Sequence, residues 1–457
     1  MPIFLRFLKT QVILFAGWGL LLFGLLFFTL HFLLVHFASL RRAEVLILPQ
    51  KLNFAGTVCA PDYARHRFPG QHLVFVTFRE PAHNPYLSAI WHDIEDVEYI
   101  NLPRFVIDFN FRGRRAIIPR RRVYDPAAQW ILAHLARWLG RNPIVLTYSK
   151  IYTDWEPHEL YSKDLEAMLA RHPPDPWAER WPNYLRYCMY FHLQREVPLR
   201  QPSLPQYLCD EVERALVRVR AGRADVRLCG LYIKKNMVDS PDGSDHFFDG
   251  SPLENYLPAI RFLASRGYQV LLTGDHALPR QVAEELDGMV VDGETLGINP
   301  WLHRIYAALH TDIFVGDTGG GMMVAGLVTD RCALGLNTFE FISAFNNLWI
   351  YFKHAYDHDG IHLSFSDMTA KYAFSSDVPG AFTIETNSED EILEAVRCYV
   401  EEMENPGSSE IDPALEGLWP SYSGFKVANC HISPAYVRNY YRKKALDSAS
   451  QPPEKVI

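Results

Sequence analysis

No two cysteines of this chain form a CxxC pair. The seven present (Cys59, Cys188, Cys209, Cys229, Cys332, Cys398 and Cys430) are scattered without regular spacing. Neither a zinc site nor a disulfide framework is signalled, and a reducing compartment is the simpler reading. A basic excess is also missing: 45 Lys and Arg against 53 Asp and Glu leave a net charge of −8. That balance argues against a nucleic-acid partner. Neither GxGxxG nor GxxxxGKS/T occurs, so the commonest dinucleotide and P-loop signatures are absent. No internal repeat is visible. General disorder is excluded, because 48% hydrophobic residues over 457 positions suffice for two domains with large cores.

One long uncharged run is present. "VILFAGWGLLLFGLLFFTLHFLLV" spans Val12 to Val35, and about 24 residues at 1.5 Å each reach about 36 Å, enough to cross a bilayer. Residues 1–42 are therefore expected to be a transmembrane anchor. A cleaved signal peptide would want a shorter apolar core, of roughly 7 to 15 residues, and a small-x-small cleavage site. Arg6 and Lys9 flank one side and Arg41 and Arg42 the other, so the positive-inside rule does not fix orientation.

After the anchor, "AEVLIL" (43–48), "HLVFVTF" (72–78) and "NPIVLTYS" (142–149) read as buried strands. "DPAAQWILAHLARWLG" (125–140) reads as an amphipathic helix with Asp125 as cap and Pro126 at its first position. A proline- and aromatic-rich stretch (172–206) leads to a helix at 204–222 that closes the first half. From 225 the pattern becomes regular. Strands at 226–233, 268–275, 289–293, 313–317 and 332–337 alternate with helices at 251–267, 278–288, 299–311 and 320–330. In the first of these helices Ser251 and Glu254 form a capping box. A further strand and helix follow at 381–404, and the polar tail after 440 reads as disordered.

Short connections and continuous apolar strands mean an α/β fold with parallel sheets. The domains expected are 43–224, 225–405, a helical return segment at 406–440 and a tail at 441–457. In such sheets ligands bind outside the carboxyl ends of the strands. Lys234, Lys235 and Asn236, then Gly274 and Asp275, then Gly316, Asp317, Thr318, Gly319, Gly320 and Gly321 all fall at such ends, and Asn337 closes "CALGLN". Bare amides at a helix N-terminus suit phosphate, Thr318 adds a hydroxyl, and Asp317 suits a ribose or sugar hydroxyl. Packing of a tight turn against a neighbouring strand is the competing account of the glycine run. "YDHDGIH" (356–362) fits no common ligand spacing, and no metal is expected.

In the first half, "TFREPAHNP" (77–85) follows a strand end and carries Arg79, Glu80, His83 and Asn84. His83 or the Glu80 carboxylate is the candidate base for an acceptor hydroxyl, with Arg79 or His83 acting on the acceptor side, and an ordinary polar loop is the alternative. "RFVIDFNFRGRRAIIPRRR" (104–122) mixes seven arginines with aromatics, which suits anionic lipid or a lipid-linked phosphate; a solvated face or ion pairs compete with that reading.

"PLENYLPAIRFLASRGYQVLLTGD", "DIFVGDTGGG", "CALGLN", "HISPAYV" and the upstream "NFAGTVCAPDYARHRFPGQHLVFV" and "PAHNPYL" resemble GT-B-type glycosyltransferases of bacterial surface-polysaccharide gene clusters, over residues 45 to 437. The resemblance implies two Rossmann-like domains facing across a cleft. It also implies a nucleotide-sugar donor held mainly by the second domain, a glycan or lipid-linked acceptor, no cofactor and no obligatory metal. With the anchor, it places the chain in the inner membrane as a single-pass protein with cytoplasmic catalytic domains. The chain departs from the family pattern in three places. Lys234 and Lys235 stand where an arginine is expected, Leu272 where a second is expected, and Asp317-Thr318-Gly319-Gly320 where Thr-Thr-Ser-Gly is usual. A sugar-nucleotide epimerase on the same fold and a catalytically silent subunit of a polysaccharide-assembly complex are the alternative functions.

Overall fold

Short apolar runs in the first third of the chain form strands β1 (Val45–Leu48), β2 (Leu73–Phe78), β3 (Val97–Leu102) and β6 (Ile144–Thr147). The computed structural model describes residues 34–48, 54–78, 89–102, 108–111, 114–117, 120–139, 142–147, 201–220, 226–234, 250–274, 276–319, 332–338, 348–363, 383–408 and 430–450, and also residues 26, 30, 86, 223, 321, 322, 324 and 325. The chain divides into two compact units. The first comprises residues 1–52, 60–88 and 93–155, and the second residues 53–59, 89–92 and 156–457.

In the first unit the four strands run parallel in the order β3-β2-β1-β6, with Val45 opposite both Leu73 and Ile144. Every residue of β1 is buried, as a strand covered on both faces must be. Alternate residues Leu46, Leu48, Val74 and Val76 pack with Leu40, Ala43 and, from helix α2 (Arg120–Leu139), Leu132 and Ala136. Helix α1 is Phe54–Arg67. Helix α2 begins five residues before Asp125, which therefore lies within the helix rather than capping it. The arginine-rich stretch contains an antiparallel ribbon of β4 (Asp108–Phe111) and β5 (Arg114–Ile117).

No helix among the described residues is long and apolar enough to cross a membrane. The anchor expected at Val12–Val35 lies outside the described residues apart from positions 26, 30, 34 and 35, and residues 34–42 are helical.

The second unit holds a seven-stranded parallel sheet. Its strands are β7 (Arg227–Ile233), β8 (Tyr268–Gly274), β9 (Val290–Val291), β10 (Ile313–Asp317), β11 (Ala333–Thr338), β12 (Leu348–Phe352) and β16 (Cys430–Ile432). They are ordered β9-β8-β7-β10-β11-β12-β16. Counted from β7, this is the doubly wound 3-2-1-4-5-6 arrangement with one strand added at the edge. The strands β8, β10, β11 and β12 are buried almost throughout.

Helices α3 (Gln206–Val219), α6 (Gly293–Leu296) and α7 (Pro300–His310) pack together in this unit, and α5 is Arg280–Glu285. A second group consists of α4 (Leu253–Ser265), α8 (Glu389–Glu404) and α9 (Pro434–Ser450). A small antiparallel sheet of β13 (His354–Tyr356), β14 (His362–Leu363) and β15 (Thr383–Glu385) follows β12.

Three local expectations are corrected. Helix α3, read as the end of the first half, packs on α7 in the second unit. The capping box at Ser251 and Glu254 does not form, since Pro252 is the cap residue of α4 and no side chain caps the helix. A complete capping box does form at Ser388 and Glu391 on α8. The tail expected to be disordered from 441 is helical to Ser450.

Candidate functional site

Strands β7 and β10 are hydrogen-bonded neighbours, yet the chain leaves them in opposite directions, β7 towards β8 and β10 towards β11. That reversal opens a crevice at their carboxyl ends, where doubly wound sheets hold ligands. Lys234 follows β7 there, and Thr318 and Gly319 follow β10.

The glycines of this turn have different reasons. A Cβ on Gly316 would lie 2.2 Å from the Tyr232 carbonyl oxygen, and one on Gly321 would lie 2.6 Å from the Tyr232 ring. Both need glycine for close packing against β7, the packing account of the run. Gly319 differs: its Cβ would meet only ordinary contacts, Tyr232 Oη at 3.6 Å and Lys234 Cδ at 3.8 Å. Among the described residues its amide has no backbone acceptor. Bare backbone and the stem of a lysine thus lie side by side at the switch point.

Asp317 faces inward. It is 1% exposed, and its Oδ2 accepts from the Lys234 amide at 2.8 Å. Its Oδ1 accepts from Asn337 Nδ2 at 2.7 Å and from the Tyr256 hydroxyl. Burial pushes its carboxyl above the ordinary value, against these three hydrogen bonds and the charge of Lys353. Burial likewise raises the Tyr256 phenol well above its ordinary range, and Asp317 adds to the shift. A Cβ on Gly250 would lie 2.2 Å from Asp317 Oδ2, so the chain closes tightly over this carboxylate. Asp317 ties β7, β10, β11 and α4 together, and a sugar hydroxyl would have to displace one of these partners. Thr318 is similarly engaged, with its amide and hydroxyl both on the Leu336 carbonyl and its hydroxyl also on Thr338.

Asn337 is 4% exposed and has a left-handed φ of 50°. It bonds Asp317, Tyr256, Ser251 and Asn387. Ser251, released from its expected cap, donates to the Asn387 carbonyl at 2.6 Å.

At the end of β8, Gly274 has φ 106°, and a Cβ there would lie 1.9 Å from the Ile233 carbonyl oxygen. Only glycine fits. The Arg304 guanidinium, from α7, donates to the Gly274 carbonyl. Leu272, where the resemblance expects an arginine, is buried within β8, while Arg304 brings a guanidinium to the end of that strand. His276 Nε2 lies 3.4 Å from the Lys234 carbonyl.

"YDHDGIH" contributes to a separate buried array. Glu391 Oε1 lies 2.8 Å from His354 Nε2, and His354 Nδ1 lies 3.0 Å from His362 Nε2. Burial opposes ionisation of Glu391, but its bonds to His354 and Ser388 and the charge of Lys443 prevail and hold it at about 2. An ionised Glu391 can only accept, so His354 Nε2 carries the proton between them. Among the described residues, His362 Nδ1 is left buried without a hydrogen-bond partner. Burial, then His354 and Lys443, push His362 down to about 3. Among the described residues no three His, Cys, Asp or Glu side chains are placed to share a metal ion.

Of the residues singled out in the sequence, Lys234, Gly274, Gly316, Asp317, Thr318, Gly319, Gly321 and Asn337 gather at the carboxyl edge of the seven-stranded sheet. Lys235, Asp275, Gly320, Arg79 and His83 lie outside the described residues. Sequence reading missed Tyr232, Tyr256, Gly250, Arg304 and Asn387. The continuous apolar run of β7 marks Tyr232 as a strand residue, but only the fold brings its ring onto Gly321.

No protein-family profile matches the chain, and no curated protein matches its sequence. Among solved structures, a glycosyltransferase family 9 protein from Veillonella parvula aligns over 79% of this chain and 98% of its own, with 10% identity and a TM-score of 0.44. The ADP-heptose LPS heptosyltransferase II of E. coli aligns over 73% and 97%, with 12% identity and a TM-score of 0.36. A wall teichoic acid polymerase, TagF, aligns over 65% and 70%, with 10% identity and a TM-score of 0.24. Likenesses at these scores carry no weight for activity.

Proposed function

We propose that the chain is a membrane-anchored, metal-independent glycosyltransferase of the GT-B type. It takes a sugar from a nucleotide-diphosphate donor to a glycan or lipid-linked acceptor in cell-surface polysaccharide synthesis. The observation that carries the proposal is Lys234 lying against the Gly319 backbone at the switch point of a doubly wound sheet. The stem of a cationic side chain beside glycine backbone suits a diphosphate.

In the reaction, the bond from the anomeric carbon to the diphosphate oxygen breaks and the diphosphate leaves with the electron pair. Lys234 and the Gly319 amide neutralise that charge, with Lys235, Asp275 and Arg304 as further members of the donor site. The acceptor oxygen forms the new bond at the anomeric carbon, and His83 takes the acceptor proton, with Arg79 also acting on the acceptor side. The anchor holds the chain in the inner membrane with its catalytic domains on the cytoplasmic side.

The test is a thermal-shift and binding screen of nucleoside diphosphates and nucleotide sugars against the full chain, with Lys234→Ala beside it. A diphosphate should raise the unfolding midpoint, and Lys234→Ala should weaken its binding by about tenfold or more, the loss of one charge-assisted contact. Sugar conversion with donor alone, without acceptor, would establish the epimerase instead. No shift with any nucleotide would leave the silent subunit.

A further inference from the structure

The amino-terminal edge of the first sheet, opposite the edge that binds ligands in such folds, has a composition of its own. The helical residues 34–42 enter β1 from this side, and α2 ends here just before β6. Between them lies an open depression of about 890 Å³ lined by Phe37, Arg41, Arg42, Glu44, His72 and Leu139. Its size is that of a ligand pocket, ~300–1,000 Å³.

Arg42 and His72 share Glu98 at 3.1 and 3.3 Å. Glu44 is engaged by the His72 amide at 2.8 Å. Arg41, and Arg137 in the last turn of α2, have no ion-pair partner among the described residues. Around these charges stand exposed apolar side chains: Trp138 is 78% exposed, Leu34 83%, and Val35, Phe37 and Ile144 are exposed as well. The acidic side chains Glu95 and Asp96 stand at the other end of the edge, ahead of β3. Exposed tryptophan and leucine beside unpaired arginine, next to a pocket, are poorly suited to water and well suited to the interface of an anionic bilayer. The 33 residues that precede Leu34 include most of the 24-residue apolar run and join the chain at this edge.

We infer that this edge lies on the membrane and that the pocket at Arg41 and Arg42 seats the phosphate of an anionic phospholipid headgroup, with Trp138 in the interfacial layer beside it. The inference rests on the membrane-anchor reading. It goes further in naming the face of the first unit that touches lipid and the charge of that lipid.

The full chain is reconstituted in phosphatidylcholine vesicles containing phosphatidylglycerol, with brominated chains on either one lipid or the other. The readout is the difference in tryptophan emission between the unmodified protein and Trp138→Phe. Trp138 should be quenched by both bromolipids and more strongly by brominated phosphatidylglycerol. Arg41→Ala with Arg42→Ala should remove that preference, by about fivefold in local enrichment per arginine, while quenching by phosphatidylcholine persists. Absence of Trp138 quenching from vesicles that do carry the protein overturns the inference and leaves the anchor standing. Equal quenching by the two lipids, unchanged by the arginine substitutions, overturns the headgroup site. Failure of the protein to float with vesicles overturns both the anchor and the inference.

Discussion

Asn337 and Asn387 clasp each other by two reciprocal hydrogen bonds, each 2.7 Å long, in which the backbone amide of one donates to the side-chain oxygen of the other. The clasp joins the carboxyl end of β11 to the residue before the α8 cap. It also orients Asn337 Nδ2 towards Asp317. Two sequence-distant asparagines thereby hold the floor of the candidate donor site.

Asn387→Ala should destabilise the protein by about 3 kcal/mol, because it leaves the buried Asn337 amide without its acceptor and removes a bond to the Phe352 carbonyl. Urea unfolding measures the loss. At Asn337 itself, Ala should be worse than Gly by about 1–2 kcal/mol, since of the two Gly alone adopts a φ of 50° without strain. Equal stability of the two variants would show that the left-handed backbone is not retained in solution.

The glycine run should separate under substitution. Gly319→Ala finds ordinary contacts and should stay within about 1 kcal/mol of the parent protein. Gly321→Ala meets the root of the Tyr232 ring and should lose about 1–3 kcal/mol by overpacking. Adding Tyr232→Ala should recover part of the Gly321→Ala loss, so that a double-mutant cycle reports coupling between 232 and 321 and none between 232 and 319.

Two buried histidines should make the second unit acid-sensitive. Burial lowers His303 to about 4 and His362 to about 3, both from 6.5. The folded state therefore binds fewer protons than the unfolded state, and the stability held above pH 6.5 is lost as pH falls towards these values. Asp317 is shifted upward and acts in the opposite direction, contributing stability below its ordinary 3.8 that is lost as pH rises through its folded value. A difference measurement cancels it. Relative to the parent protein, His362→Gln should gain stability as pH falls from 6.5 to 4.5, by at most about 1.4 kcal/mol per pH unit, the limit for one proton. Parallel pH profiles of the two proteins would show that His362 does not stay neutral in the fold.

Much of the architecture could be read along the chain because it depends on neighbours in sequence. Continuous apolar runs such as Ile313–Asp317 are buried on both faces, and the Asn299 cap and Pro300 start of α7 are visible as letters. Among the strands that escaped reading, Cys430–Ile432 is short and gains its place from the edge of an existing sheet, while Val97–Leu102 and Leu348–Phe352, as long as strands that were read, escaped as well. Ser251 shows the limit most plainly: its sequence context is that of a helix cap, and a partner 136 positions away, the Asn387 carbonyl, takes its hydroxyl instead. The sequence by itself determined the alternation of strands and helices, and with it the parallel sheets and the strand ends where polar groups collect. Tertiary structure alone decided which of those groups turn inward, as Asp317 and Asn337 do, and which backbone stays open beside Lys234 at Gly319. The reason is physical: strand order and side-chain burial are set by contacts between segments far apart in the chain, and a local pattern carries no record of them.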